Sequence, residues 1–159
     1  MRETCPEAQF FLIGGGPERA GLQERARTEL LTNVTFLPAV SKSEMADVYS
    51  AADVGLHVLA DVNLFRYGVS PNKVSDYMAA GLPVVTNSPG EVTELVEQAG
   101  AGVGVEPGAI AAGVTLMHRM GDAGRAECGR AGRAYVERYR SRTVLARELQ
   151  KLLDSTSKN

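Results

Sequence analysis

Short apolar runs alternate along the chain with longer segments of mixed character. The apolar runs are QFFLIG, VTFLP, VGLHVLA, PVVT and AGVGVEPG, which begin at residues 9, 34, 54, 83 and 101. Runs of this length, rich in valine, leucine and phenylalanine, are typical of strands. The mixed segments repeat apolar residues at intervals of three and four, as in Met45, Val48, Tyr49 and Ala52, which is the pattern of a helix with one buried face.

The ends of the predicted helices also carry sequence signals. Ser43 is predicted to cap the helix that contains Met45, and Gly100 is a natural stop for the helix in GEVTELVEQAG. Helical sequence continues to about Leu153, with breaks predicted near Gly121 and Ser141. Each predicted strand is thus followed by a helix.

This alternation predicts a doubly wound α/β domain with a mainly parallel sheet and helices on both faces, because parallel strand pairs need helical crossovers. The 159 residues are enough for a single domain with its own core. Sheets of this class bind ligands at the carboxyl ends of their strands. A ligand site is therefore expected in the loops after Ile13, Leu37, Leu59 and Thr86.

Composition removes several classes of function. A net charge of −2 argues against a general nucleic-acid binder, and glutamates interrupt the arginine-rich tract GRAECGRAGRAYVERYRSR as on a solvated helix face. No apolar run has the length of a transmembrane helix. Cys5 and Cys128 suggest neither a disulfide framework nor a zinc site, and a reducing, cytoplasmic location is expected.

The first candidate loop reads IGGGPERAG. Its glycines, Gly14, Gly15 and Gly16, would let the backbone approach a ligand without interference from a Cβ atom; a tight strand-to-helix turn is the alternative interpretation. A dinucleotide-binding motif is not supported, because the third glycine of G-x-G-x-x-G would fall at Arg19 and no acidic residue closes the next strand.

The segment SPNK begins a further predicted helix. Ser70 as N-cap and Pro71 at the first helical position form a favoured start. The free N–H groups of Asn72 and Lys73, the positive end of the helix dipole and the lysine charge together make an anion site suited to a phosphate or diphosphate. Ordinary capping with a solvated lysine is the alternative.

The same helix carries a carboxylate one turn after Lys73. Asp76 could accept hydrogen bonds from sugar hydroxyls, and a Lys73–Asp76 surface pair is the alternative. The predicted buried face of this helix consists of Val74, Tyr77 and Met78.

Two histidines remain. His57 in the middle of VGLHVLA and His118 in a late helix have no other histidine, cysteine or paired carboxylate at ligand spacing. Both are interpreted as structural residues, and no metal site is predicted.

The order of these motifs resembles that of the C-terminal, nucleotide-binding half of retaining GT-B glycosyltransferases of the glycosyltransferase family 4 type. The resemblance covers nearly the whole chain, through FFLIGGGPE, NVTFLPAVSKSEMADVYSAADVGLHVL, SPNKVSDYMAAGLPVVT and GEVTELVEQAGAGVGVEPG. K-x-x-(D/E)-Y-M-A-x-G-x-P-V-V is its most specific part, and SPNK is most similar to enzymes that build bacterial surface polysaccharides.

The resemblance implies a Rossmann-like half of a GT-B fold that binds a nucleotide-sugar donor, usually carrying UDP, with no metal or other cofactor. Asp76 takes the place of the family's ribose-binding acidic residue, and Ser70–Lys73 faces the diphosphate. Gly14–Gly16 lines the donor cleft, and Leu37–Val40 passes the base. The implied activity is transfer of a sugar, with retained configuration, to a glycan or lipid-linked acceptor in polysaccharide synthesis.

The sequence departs from the family pattern at three places. Pro38 stands where glycine is also common in the family. Gly68 stands where the family often has a glutamate near the donor sugar. Only Met1 to Gln9 precede FFLIG, where the family has a further strand and a loop whose arginine and lysine grip the diphosphate. We therefore expect a fragment, inactive alone, that lacks this strand and the N-terminal acceptor-binding domain, through which the whole enzyme could contact a membrane peripherally.

Two other functions stay open at the level of the sequence. A nucleotide-sugar epimerase shares this architecture, although the segment offers no clear set of catalytic carboxylates and histidine. A non-catalytic nucleotide-sugar-binding module is favoured by the absence of an acidic residue at Gly68. No catalytic nucleophile is identified.

Overall fold

The computed structural model describes residues 5–62 and 72–156. Its strands are β1 Phe10–Ile13, β2 Val34–Leu37, β3 Gly55–His57, β4 Val84–Thr86 and β5 Gly102–Gly104. Its helices are α1 Arg19–Thr28, α2 Met45–Ser50, α3 Asn72–Ala79, α4 Glu91–Gln98, α5 Ile110–Tyr135 and α6 Arg142–Thr156, with a π-helical segment, Val136–Arg140, between the last two. Strands and helices alternate as the sequence predicts.

The paired strands are all parallel. β1 pairs with β2 in one sheet, and β3, β4 and β5 form a second sheet in that order. The two sheets belong to two compact units, Met1–Val48 and Tyr49–Asn159. The predicted α/β class with parallel strands is confirmed.

The first unit contains β1, α1, β2 and the start of α2. β1 and β2 pair in register from Phe10 opposite Val34 to Ile13 opposite Leu37. The predicted cap at Ser43 is wrong: the Ser41 N–H donates to Glu44 Oε2 at 2.8 Å, and the Glu44 N–H donates to Ser41 Oγ at 3.3 Å. The spacing S-x-x-E forms this reciprocal capping box, and it starts at Ser41.

The second unit carries helices on both faces of its sheet. Val84 packs in the core with Val74 of α3 and Val92 of α4. Its neighbour Val85 points to the opposite face, as alternation along a strand requires, and lies against Gly113 of α5. The two-sided covering predicted from the sequence is confirmed for this sheet.

The amphipathic faces of α3 and α4 also match their predictions. Val74 and Met78 are fully buried, and Tyr77 is half-buried against the same core. The predicted apolar face of α4 is buried throughout, at Val92, Leu95, Val96 and Ala99. These helices are held by apolar burial, at about 25 cal/mol for each Å² removed from water.

The C-terminal helices break where predicted. Gly121 has φ 68° and ψ −179°, a conformation that interrupts the helical path of α5, and Ser141 is extended with ψ 150°. Beyond the break, Gly129 lies so close to Gly81 that a Cβ atom at 129 would be 1.9 Å from the Gly81 carbonyl oxygen. Within the described residues, no helix combines the length and apolar composition needed to cross a membrane.

Candidate functional site

The loop after β1 forms an open glycine turn. Gly14 and Gly16 have φ values of 132° and 141°, which side-chain-bearing residues rarely adopt. A Cβ atom built on Gly14, Gly15 or Gly16 would have no protein atom within 4 Å. The prediction that backbone is accessible to a ligand here fits this geometry, and the glycines at 14 and 16 are also required by the turn itself.

The glycine turn is joined to the loop after β2. The Gly14 N–H donates to the Leu37 carbonyl at 3.2 Å, one step beyond the last residue pair of the two strands. Leu37 is partly exposed and Val40, three residues further, is half-buried. The predicted ligand-lining residues of the first unit therefore include two that contact each other, Gly14 and Leu37.

Arg19 is a residue of this region that sequence reasoning did not assign to the site. It is the first residue of α1, and its Nη1 donates to the carbonyls of Gly14 and Leu37, the latter at 2.8 Å. Its guanidinium carbon lies 5.9 Å from the centre of the Phe36 ring. The only sequence signal for these contacts is the presence of an arginine just after the glycine turn.

In the second unit, α3 begins at Asn72, and the predicted residues Asn72, Lys73 and Asp76 are all exposed along its first turns. Exposure leaves the side chains of Lys73 and Asp76 able to meet a ligand. Ser70, predicted as the cap, lies outside the described residues, as do Pro71 and Gly68.

Buried polar side chains gather at the carboxyl ends of β3 and β4. Within residues 5–62 and 72–156, the buried polar side chains are His57, Thr86, Asn87 and Ser88. Burying polar groups is costly unless they are hydrogen-bonded, and the side chains of His57, Thr86 and Asn87 all have hydrogen-bond partners here.

His57 is the last residue of β3. The sequence had suggested a position in the middle of the strand. Its Nδ1 lies 3.0 Å from Thr86 Oγ1. Burial lowers the pKa of His57, and the positive charge of Lys73 lowers it further. The imidazole is therefore neutral at pH 7.

The predicted strand VGLHVLA ends early, because beyond His57 the side chain of Asn87 takes the place of a paired strand as hydrogen-bond partner of the backbone. Asn87 Nδ2 donates to the Leu59 carbonyl at 2.8 Å, and the Leu59 N–H donates to Asn87 Oδ1 at 2.8 Å. The Asn87 N–H also donates to the His57 carbonyl at 3.3 Å. Asn87 thus holds the chain where it leaves β3, a role that the sequence analysis did not anticipate.

The charge of Asp76 acts on two tyrosines of the second unit. Tyr49 and Tyr77 meet edge to face, with ring centres 5.3 Å apart. Burial raises the pKa of both phenols, and the negative charge of Asp76 adds to the rise in each. Asp76 itself is exposed in the first turns of α3.

The described residues contain no group of three or more histidine, cysteine, aspartate or glutamate side chains arranged to hold a metal ion. The candidate groups are described for each unit by itself. In the first unit they are the glycine turn and the loop after β2, and in the second unit they are the exposed start of α3 and the buried polar residues at the ends of β3 and β4.

Comparison with known proteins decides the family. The sequence model described as "Glycosyl transferases group 1" matches residues 1–120, which is most of the chain. The chain belongs to the glycosyl transferases group 1 family. The resemblance inferred from the sequence motifs is confirmed.

One sequence relative of this group 1 domain and one protein of similar fold carry informative descriptions. A GDP-mannose-dependent monoacylated alpha-(1-6)-phosphatidylinositol monomannoside mannosyltransferase of Corynebacterium glutamicum is 29% identical over 164 residues, covering 94% of this chain and 40% of the relative. The crystal structure of WaaG, a glycosyltransferase involved in lipopolysaccharide biosynthesis, superposes with a TM-score of 0.64 at 16% identity, covering 81% of this chain and 34% of WaaG. The group 1 chain thus spans less than half the length of either protein and shares the WaaG fold over the matched part.

Proposed function

We propose that this group 1 domain binds the nucleotide-sugar donor of a glycosyltransferase, which transfers the sugar with retained configuration to a glycan or lipid-linked acceptor. The observation that carries the proposal is the position of Lys73. It is exposed in the first turn of α3, the helix that connects the parallel strands β3 and β4 and therefore begins at their carboxyl ends. This is the edge of a parallel sheet where α/β proteins bind ligands.

The start of α3 suits the diphosphate of the donor. The first N–H groups of a helix lack partners within the helix and carry the positive end of its dipole. Asn72 and Lys73 provide such groups, and the Lys73 ammonium adds a full positive charge. Fixed donors of this kind stabilise the negative charge that develops on a departing nucleoside diphosphate, so they serve both binding and transfer.

The remaining predicted residues are proposed to hold the nucleoside. Asp76 accepts hydrogen bonds from the ribose hydroxyls, since it is exposed one turn beyond Lys73. Gly14–Gly16 lets the donor approach the backbone, and the loop Leu37–Val40 contacts the base. UDP is the nucleotide proposed from the motifs. The Corynebacterium relative is described as GDP-mannose-dependent, so GDP is the competing ligand to be tested.

Calorimetric titration with UDP, GDP, UDP-glucose and GDP-mannose tests the proposal, together with amide chemical-shift mapping. A dissociation constant on the order of millimolar, about −4 kcal/mol, is expected for the better nucleotide. Amide shifts should appear together at Gly14–Gly16 and at Asn72–Asp76. Shifts confined to α5 and α6, or no binding of any of the four ligands, would contradict the proposal. Analysis of the sugar product separates transfer from epimerisation of the donor.

A further inference from the structure

Arg19 connects the two loops that are proposed to hold the nucleoside. Its side chain donates from Nη1 to the Gly14 carbonyl in the glycine turn and to the Leu37 carbonyl after β2. The Arg19 backbone N–H also donates to the Gly16 carbonyl at 3.2 Å. One residue thus contacts both ends of the glycine turn and the neighbouring loop.

The strand ladder does not extend far enough to fix these loops. The pairing of β1 with β2 ends at Ile13 and Leu37, and beyond it the Gly14 N–H to Leu37 carbonyl bond is the next link. A guanidinium shared between two carbonyls supplies further charge-assisted bonds, which are stronger than bonds between neutral groups. Its carbon also lies 5.9 Å from the Phe36 ring centre, where attraction to the ring face limits its movement.

We propose that Arg19 is a positioning residue for the nucleotide base. It sets the spacing between the glycine turn and the loop Leu37–Val40, and thereby the affinity for the base and the preference between bases. The inference rests on the proposed function. Because Arg19 acts on the first unit, and the diphosphate is assigned to α3 of the second unit, its effect falls on the nucleoside part of the ligand.

The test uses two variants and three ligands. Arg19→Met keeps an unbranched stem but removes all the donors, and Arg19→Lys keeps the charge without the planar fork of the guanidinium. Dissociation constants are measured by calorimetry for UDP, GDP and inorganic pyrophosphate. We expect Arg19→Met to weaken nucleotide binding about tenfold or more, to change the ratio of UDP to GDP affinity, and to leave pyrophosphate binding unchanged, with Arg19→Lys intermediate.

An equal loss of affinity for all three ligands, or unchanged affinity and unchanged base preference, would overturn the role of Arg19. Thermal unfolding of each variant shows whether it is folded, and if Arg19→Met does not fold, the base preference of Arg19→Lys decides. Failure of the proposed function is distinct, because the unmodified protein would then bind neither UDP nor GDP. Lys73→Ala is the matched comparison, since it should weaken binding of pyrophosphate as well as of nucleotides.

Discussion

His57 Nδ1 lies 3.0 Å from Thr86 Oγ1, and this contact joins the last residues of two neighbouring parallel strands. Thr86 Oγ1 also accepts the Ser88 N–H at 3.1 Å. Since Thr86 is fully buried and His57 is 6% exposed, neither side chain can readily exchange these bonds for water. The ring of His57 is therefore held in a defined orientation and stays neutral near pH 7.

This burial predicts a loss of stability in acid. The pKa of His57 is lower in the folded protein than its usual value of 6.5, so the unfolded chain takes up a proton first as the pH falls. The contribution of neutral His57 to the free energy of unfolding is complete above about pH 6.5 and is lost as the pH falls toward the pKa of His57 in the folded protein. Urea unfolding at about pH 7.5 and about pH 5.5 measures the change.

His57→Gln should reduce this dependence on pH, although it lowers stability at both values. His118→Gln, which replaces an exposed histidine, is the matched substitution for comparison. The same acid sensitivity in His57→Gln and in the unmodified protein would show that other groups cause it.

Asn87→Ala is expected to lower the free energy of unfolding by about 1–3 kcal/mol, because the backbone N–H and carbonyl of Leu59 both lose a partner. Asn87→Asp should be comparably harmful, since a carboxylate oxygen would face the Leu59 carbonyl. Denaturant unfolding measures both. Gln150→Ala removes an exposed hydrogen bond from the Gln150 side-chain amide to Asp154 and should change the free energy of unfolding by less than about 0.5 kcal/mol. Equal effects at Asn87 and Gln150 would contradict the role of Asn87.

Gly15→Val separates ligand binding from folding. Gly15 does not have the positive φ of its two neighbours, and a Cβ there meets no protein atom within 4 Å, so the melting temperature should barely change. If the donor approaches this backbone, the added side chain should weaken nucleotide binding about tenfold or more. Gly21→Ala, in an open position on α1, is the control. Unchanged affinity in Gly15→Val would exclude the turn from the site.

Lys73→Ala should weaken binding of UDP, GDP and pyrophosphate alike, by about tenfold at low salt, because it removes the charge at the start of α3. The difference from the unmodified protein should shrink at about 0.5 M salt, where exposed charges are screened. Lys151→Ala, on the exposed face of α6, is the control for general electrostatic effects. Equal losses for the two variants would indicate a non-specific attraction.

Asp76→Ala should cost about 1.5–3 kcal/mol of nucleotide affinity with the fold intact, because a ribose hydroxyl bonded to a carboxylate makes a charge-assisted hydrogen bond. If the contact is to the 2′-hydroxyl, the affinity for 2′-deoxynucleotides should hardly change on this substitution. Calorimetry with both nucleotide types measures this, and equal losses would reassign the contact to the 3′-hydroxyl.

The elements of the fold were accessible from the sequence because their signals are local. The apolar face of α4 and the break at Gly121 follow from spacing and from a single residue type. The prediction of Ser43 as the cap is wrong, because Ser41 lies three residues before Glu44, the spacing that a capping box requires. The signal for the correct cap is therefore present in the sequence.

The candidate site was less accessible, since its contacts join distant residues. Arg19 bonds a carbonyl 18 residues away, and Asn87 bonds a backbone 28 residues away. Any residue can supply a backbone carbonyl or N–H group, so the identity of the partner residue does not reveal the contact. Composition and periodicity therefore cannot predict either contact. Asn72, Lys73 and Asp76 are predicted because the helix start has a recognisable sequence, and their role in ligand binding stays a prediction.

Gly129 leaves no space for a side chain between α5 and the Gly81 carbonyl, and Gly81 follows the end of α3 closely. With eight residues, α3 is about 12 Å long, so Gly81 and Lys73 lie near its opposite ends. Any residue other than glycine at 129 would push against the C-terminal end of this helix, and a tilt of the helix would displace Lys73 at its other end. Substitution at Gly129 is thereby restricted by the packing that holds α3, even though α5 supplies none of the residues proposed to bind the ligand.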